Sequence, residues 1–241
     1  MTEPVAEPSP LFKARIAGVF YLLVFVIGGL SLFARGGLVV KGDAAATAAR
    51  LLAHELLSRV GLAADLLVIA CYVAVTALFY DLFKPVNRSV SLLAAFLSLL
   101  GCAIQGFACT FELAPFVVLG GGQYLSAFKA EQLQALAYLS LRLYGQAYNI
   151  GLVFFGLYCL LIGYLIFRST FLPRVLGVFM AAAGLGWLTF LTPFAKSLSA
   201  FDVAPAALGE GLLTLWLLVK GVNEERWKEQ ASARSLSGWR G

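Results

Sequence analysis

Three carboxylates stand in or at the end of apolar stretches of this chain, namely Asp65, Glu112 and Glu210. An acid within a membrane is costly unless it is paired or neutral, so each is a candidate for binding or proton chemistry. Polar neighbours accompany them at helical spacing. Ser91, Ser98, Cys102, Gln105, Cys109 and Glu112 follow one another at steps of seven, four and three, which is a single helical stripe. Asp65, Tyr72, Thr76 and Tyr80 form a second line; Arg142, Gln146 and Asn149 form a third, continued by Gly156 and Gly163; and Glu210 shares a face with Thr214. Polar groups avoid hydrocarbon, so the four stripes are expected to face one another. Asp65, Gln105, Asn149 and Glu210, with Glu112 and Arg142 above them and Gln146 beside Arg142, would then line an outward-facing pocket for a small molecule, a lipid or a proton. Arg142 or Arg59 is the expected partner of Asp65. No basic residue is placed to reach Glu210, which suits a hydrogen-bond donor or a proton-carrying site. The same residue types also serve plain helix packing, and spacing alone leaves both roles open for Gln105, Asn149, Ser98 and the cysteines.

Familiar catalytic sets find few parts here. His54 is the single histidine and falls on the polar side of a short helix, while Cys71, Cys102, Cys109 and Cys159 lack paired-ligand spacing. No metal site and no cofactor is therefore expected. There is no G-x-S-x-G elbow, and Ser197 and Ser199 fall in a short external loop without a nearby base. Gly120 to Gly122 lacks the Lys-Ser/Thr of a phosphate loop. What remains on the enzymatic side is a carboxylate-only site of Asp65, Glu112 and Glu210 acting on an outer-leaflet substrate.

The elements that must position these groups are membrane helices. With 61% hydrophobic and 13% charged residues, the chain lacks the surface of a water-soluble domain. Six stretches are long enough to cross about 30 Å of hydrocarbon: Ile16 to Phe33, Gly61 to Tyr80, Ser89 to Phe111, Tyr144 to Phe167, Leu172 to Leu191 and Ala204 to Val219. The expected fold is an all-α, six-span bundle over 13–222, between a flexible tail at 1–12 and a cytoplasmic tail at 223–241. Its excess of base, +5, gathers at span ends rather than in a nucleic-acid patch. Eleven Lys and Arg fall on the side of the termini and seven on the other, which places both termini in the cytoplasm of an inner membrane. The lipid bilayer is the first partner; a small-molecule or lipid ligand, a second copy or a membrane subunit are the others.

Loops and tails carry further expectations. Asp43 reads as the N-cap of a surface helix whose apolar side is Ala45, Ala49, Leu52 and Leu56. Residues 112–143 form the longest external loop, a candidate lid in which Gly120 to Gly122 are followed by a helical run, Ala127 to Leu141. Pro205 falls in the first turn of the sixth helix, and Gly177, Ala181 and Gly184 form a close-packing face on the fifth. Glu224 to Lys228 pairing and Trp227 suit a short extension of the sixth helix. The inner turns Tyr80 to Arg88 and Tyr164 to Arg174 share a pattern that a parallel duplication would leave.

The segments "ARIAGVFYLL", "DAAATAARLLAHELLSRVGLAADLL", "KPVNRSVSLLAAF", "IGLVFFGLYCLLIGYLIFRSTFLPRVLG" and "WLLVKGVN" run collinearly from Lys13 to Asn223. In them the chain resembles the bacterial membrane family catalogued as domain of unknown function 4386. That resemblance implies a bacterial integral membrane protein and brings no activity, substrate or catalytic residue. One segment departs from the family pattern: "LRLYGQAYNIG", where relatives often carry a histidine, has Tyr144 and Gln146.

Overall fold

The structure, a computed structural model, describes residues 8–191 and 195–237, with side chains for 8–189, 191 and 207–234. Among the described residues the regular elements are helical: α1 (Pro10–Arg35), α2 (Ala44–Ala53), α3 (Glu55–Phe83), α4 (Arg88–Leu119), α5 (Ala130–Arg168), α6 (Arg174–Leu188), α7 (Ala195–Val219) and α8 (Glu224–Ser237). Short 3-10 turns cover Gln123–Leu125 and Thr189–Leu191. Four helices, α1, α3, α4 and α5, are long and apolar enough to cross a membrane. The expected fifth span is the 15-residue α6, about 22 Å long at 1.5 Å per residue and shorter than a bilayer core. The sixth is α7, whose residues 195–206 carry no described side chains.

Several boundaries differ from expectation, each for a local reason. Helix α1 starts at Pro10, where proline is at home in a first turn, so residues 10–12 are helical. Helix α4 runs through Pro115 to Leu119, and the helical run expected in the lid is continuous with the fourth span as α5, which begins at Ala130. Helix α7 begins at Ala195, so Ser197 and Ser199 are helical rather than in a loop and Pro205 lies beyond the first turn; their side chains lie outside those described. Residues 224–237 form a separate helix rather than an extension of α7. Gly221, at φ +67, turns the chain through a region that a side chain would strain.

The chain divides into two compact units. The first comprises residues 1–22, 72–99 and 152–241. Its fully buried side chains include Tyr21, Phe79, Phe83, Tyr158, Ile162, Met180, Leu213 and Leu217. Here the small-residue face of α6 meets α5: a Cβ on Gly163 would lie 2.7 Å from the Gly177 carbonyl, and one on Gly184 2.6 Å from that of Gly156. The predicted packing role of Gly177, Ala181 and Gly184 is thus filled within the chain. Asn87 starts α4 by accepting from the Val90 amide at 3.1 Å. Helix α8 is fastened to the same unit through the Trp227 indole, which donates to the Leu82 carbonyl at 2.8 Å, and its Glu224–Lys228 pair forms at 3.2 Å.

The second unit comprises residues 23–71 and 100–151. Asp43 caps α2 by accepting from the Ala46 amide at 2.8 Å, as its position predicts. The face of α2 that packs inward is Thr47, Ala48 and Leu51. Ala45, Ala49, Leu52 and Leu56 are exposed, and Leu56 already belongs to α3. His54 is the exposed C-cap of α2. Polar burial beside apolar exposure recurs here: Glu112 is 8% exposed, whereas Leu30 and Phe33 are 65% and 88% exposed.

Candidate functional site

Two polar clusters form, one in each unit, and each is built from helix periodicity. In the second unit, Gly28, Ser31 and Arg35 recur along α1 at steps of three and four, which carries the Arg35 side chain to the helices beside it. Its stem passes over Gly61 of α3, where a Cβ would collide with Arg35 Cδ. One turn further along α3 is Asp65, and a single guanidinium nitrogen, Nη2, donates to Oδ1 at 2.8 Å and to Oδ2 at 2.7 Å. The other, Nη1, donates to Glu112 Oε1. Asp65 also accepts from the Ser31 hydroxyl at 3.4 Å and the Tyr144 hydroxyl at 3.3 Å. Glu112 has no such second donor. Its Oε2 is buried without a hydrogen-bond partner among the described residues.

This cluster is one guanidinium against two carboxylates, with side chains only 17%, 18% and 10% exposed for Arg35, Asp65 and Glu112. With both carboxylates ionised it holds one negative charge in excess, and its vacant acceptor is the group that would meet a donor from outside the chain. Glu112 and Gln105 end the α4 stripe, all of whose predicted members, from Ser91 through Ser98, Cys102 and Cys109, are buried. The carbonyl of Gln105 accepts from the Cys109 thiol at 3.4 Å, and the side chain of Gln105 lies over Gly151 of α5.

In the first unit Glu210 of α7 sits among aromatic rings. The Trp187 indole N–H donates to Oε1 at 2.6 Å; Tyr21 donates to Oε2, and Tyr72 does so at 3.4 Å. The Tyr21 and Tyr72 hydroxyls lie 3.3 Å apart, and Tyr72 stacks edge-on against Phe155 with centroids at 4.6 Å. One turn from Tyr72, Thr76 hydrogen-bonds Ser98 at 2.6 Å, and one turn from Glu210, Thr214 donates to its carbonyl at 2.8 Å. Among the described residues no Lys or Arg pairs with Glu210, and its neutral donors occupy both oxygens.

The predicted site residues therefore separate. Asp65 and Glu112 come together on Arg35, while Glu210 shares none of their partners among the described residues. The expected pairing of Asp65 with Arg142 or Arg59 does not form. Arg142 and Gln146 are exposed and Asn149 is half-buried, so the outer half of the third stripe faces outward rather than into the cluster. Arg59 instead pairs with Glu55 at 2.7 Å, one turn away on α3, and lies over the Phe116 ring. Arg35, Tyr21 and Trp187 were not singled out by sequence, and Tyr144 was noted only in the segment where relatives often carry a histidine. Only Arg35 carried a usable signal, the Gly28, Ser31, Arg35 spacing, because its charge otherwise reads as one more loop cation.

Comparison with known proteins supplies the lineage. The chain matches the family described as Domain of unknown function (DUF4386) over residues 16–221. It belongs to that family. A protein of Archaeoglobus fulgidus, described as uncharacterized, is 25% identical over 157 residues, covering 64% of this chain and 80% of its own length. That relative of this DUF4386 protein is archaeal, so the bacterial origin drawn from the resemblance gains no support. No solved structure matches the chain. Neither the family description nor the relative brings an activity, and the DUF4386 chain is left to its own geometry.

Proposed function

We propose that this protein is a six-span, multi-pass protein of the plasma membrane with both termini in the cytoplasm, and that it binds a small molecule bearing an ammonium group at the Arg35–Asp65–Glu112 cluster. One observation carries the reading: Glu112 Oε2 is a buried acceptor with no donor among the described residues, in a cluster that holds two carboxylates for one guanidinium. A buried acceptor left unmet costs about 1–3 kcal/mol. An N–H donor carrying one positive charge removes that cost and balances the cluster, whereas an anion would meet two carboxylates. The bilayer setting is supported by four helices long and apolar enough to cross it, and by the exposure of Leu30 and Phe33 beside buried Glu112.

The test is native mass spectrometry of detergent-purified wild type and Glu112→Gln, recording any co-purifying small molecule and titrating ethylammonium, with thermal unfolding in parallel. Glu112→Gln leaves Arg35 balanced by Asp65 and should be as stable as the wild type. A cationic adduct held by the wild type and lost from the variant is the expected result. Equal ethylammonium binding by the two proteins, or binding by neither, refutes the proposal.

A further inference from the structure

A cavity of about 430 Å³ lies where α7 hands over to α8, and its lining includes Thr170, Trp216, Lys220, Asn223 and Arg226 but no carboxylate. That volume is in the range of about 300–1,000 Å³ used by small-ligand sites. Its walls are two chain turns tied to each other. The Asn223 amide donates to the Phe171 carbonyl at 3.1 Å, the Thr170 amide donates to Gln230 Oε1 at 3.1 Å, and the Lys220 and Gly221 amides both return to the Trp216 carbonyl, at 2.8 and 3.0 Å. The turns that frame the cavity are thus held by backbone hydrogen bonds and by the Gln230 side chain.

Two cations border it. Among the described residues neither Lys220 nor Arg226 forms an ion pair, and the guanidinium of Arg226 makes only a long contact, 3.5 Å, to the Thr170 carbonyl. Of the acids near them in sequence, Glu224 is engaged by Lys228, Glu225 and Glu229 form no ion pair among the described residues, and none of the three lines the cavity. Leading to Lys220 along α7 is an exposed apolar line, Leu208, Leu212, Leu215 and Val219, at steps of four, three and four. An apolar line that ends on two uncompensated cations beside a tryptophan matches a molecule with an acyl chain and an anionic head.

We infer that this cavity holds the phosphate group of an anionic lipid, with Lys220 and Arg226 as its ligands and the Leu208 to Val219 line as the bed of an acyl chain. The inference shares with the proposed function only its placement in a membrane and involves none of Arg35, Asp65 or Glu112.

The experiment uses the full chain in detergent and counts bound species by native mass spectrometry during titration with dioleoylphosphatidylglycerol, dioleoylphosphatidylcholine and inorganic phosphate. The proteins compared are the wild type, Lys220→Ala/Arg226→Ala and Lys129→Ala, whose lysine does not line the cavity. Each cation facing an anionic headgroup contributes about fivefold, so the double variant should bind phosphatidylglycerol about 25-fold more weakly while Lys129→Ala binds as the wild type does. Both side chains are exposed, and thermal unfolding should not move; Lys220→Gln/Arg226→Gln replaces the alanine pair if that pair fails to fold. Equal binding of the two lipids, or unchanged binding by the double variant, overturns the inference. Inorganic phosphate that competes as well as the lipid overturns the lipid assignment in favour of a free phosphate ligand. Glu112→Gln should keep its phosphatidylglycerol, which separates this result from the fate of the ammonium site.

Discussion

Replacing Arg35 by glutamine removes the cation that faces both Asp65 and Glu112, and the consequence can be worked from the contacts. Asp65 keeps only two long hydrogen bonds, from Ser31 at 3.4 Å and Tyr144 at 3.3 Å, and Glu112 keeps none among the described residues. Both carboxylates are less than one-fifth exposed, so water screens them little. Removing one partner of a buried ion pair costs about 3–5 kcal/mol, because the remaining charge stays desolvated. Arg35→Gln should therefore lose about that much in unfolding by a denaturing detergent, followed by tryptophan fluorescence. The neutral triple variant Arg35→Met/Asp65→Asn/Glu112→Gln carries no such charge and should recover most of the loss. A single variant that loses less than about 1 kcal/mol, the value of an exposed pair, would mean that the cluster is solvated and its carboxylates are not under electrostatic load. A triple variant as unstable as the single one would mean that Arg35 acts through packing rather than charge.

Two further outcomes test the first unit by the same unfolding assay. Gly163→Ala places a Cβ 2.7 Å from the Gly177 carbonyl and 2.9 Å from the Ala181 amide, so it should cost about 1–3 kcal/mol; Gly145→Ala on the same helix meets nothing within 4 Å and should be neutral or gain up to about 1 kcal/mol. Equal effects of the two would refute the close α5–α6 contact. Glu210→Leu takes the acceptor from Trp187, Tyr21 and Tyr72 and should cost about 1–3 kcal/mol for each donor left unmet, whereas Glu210→Gln keeps a carbonyl oxygen for the Trp187 N–H and should retain most of the stability. Equal losses in leucine and glutamine variants would show that Glu210 is held by volume rather than by hydrogen bonds.

Local patterns were legible wherever the information lies within one helix. The α4 stripe from Ser91 to Glu112 was read from steps of three, four and seven, and every member is buried. Asp43 as a cap and Gly177, Ala181 and Gly184 as a packing face followed from residue type and position. On α2 the expected apolar side of Ala45, Ala49, Leu52 and Leu56 is exposed, and the sequence did not show that Thr47, Ala48 and Leu51 pack inward. Apolar periodicity names two sides of a helix, but beside a membrane both protein and lipid accept the apolar one. Arg142 failed for a related reason, since a line of polar residues near a helix end can face water as readily as a site.

By itself the sequence determined that this chain is helical, where α2, α4 and α6 begin to within two residues, and which residues of α4 are buried, because burial of polar groups and capping act over one or two turns. It also exposed the carboxylates, whose cost in an apolar run is visible from composition. Only the tertiary structure decided their partners. Arg35 lies 30 residues from Asp65 and 77 from Glu112, and Tyr21 lies 189 from Glu210. Such pairings depend on which helix faces pack together, and no spacing along one chain segment encodes that choice.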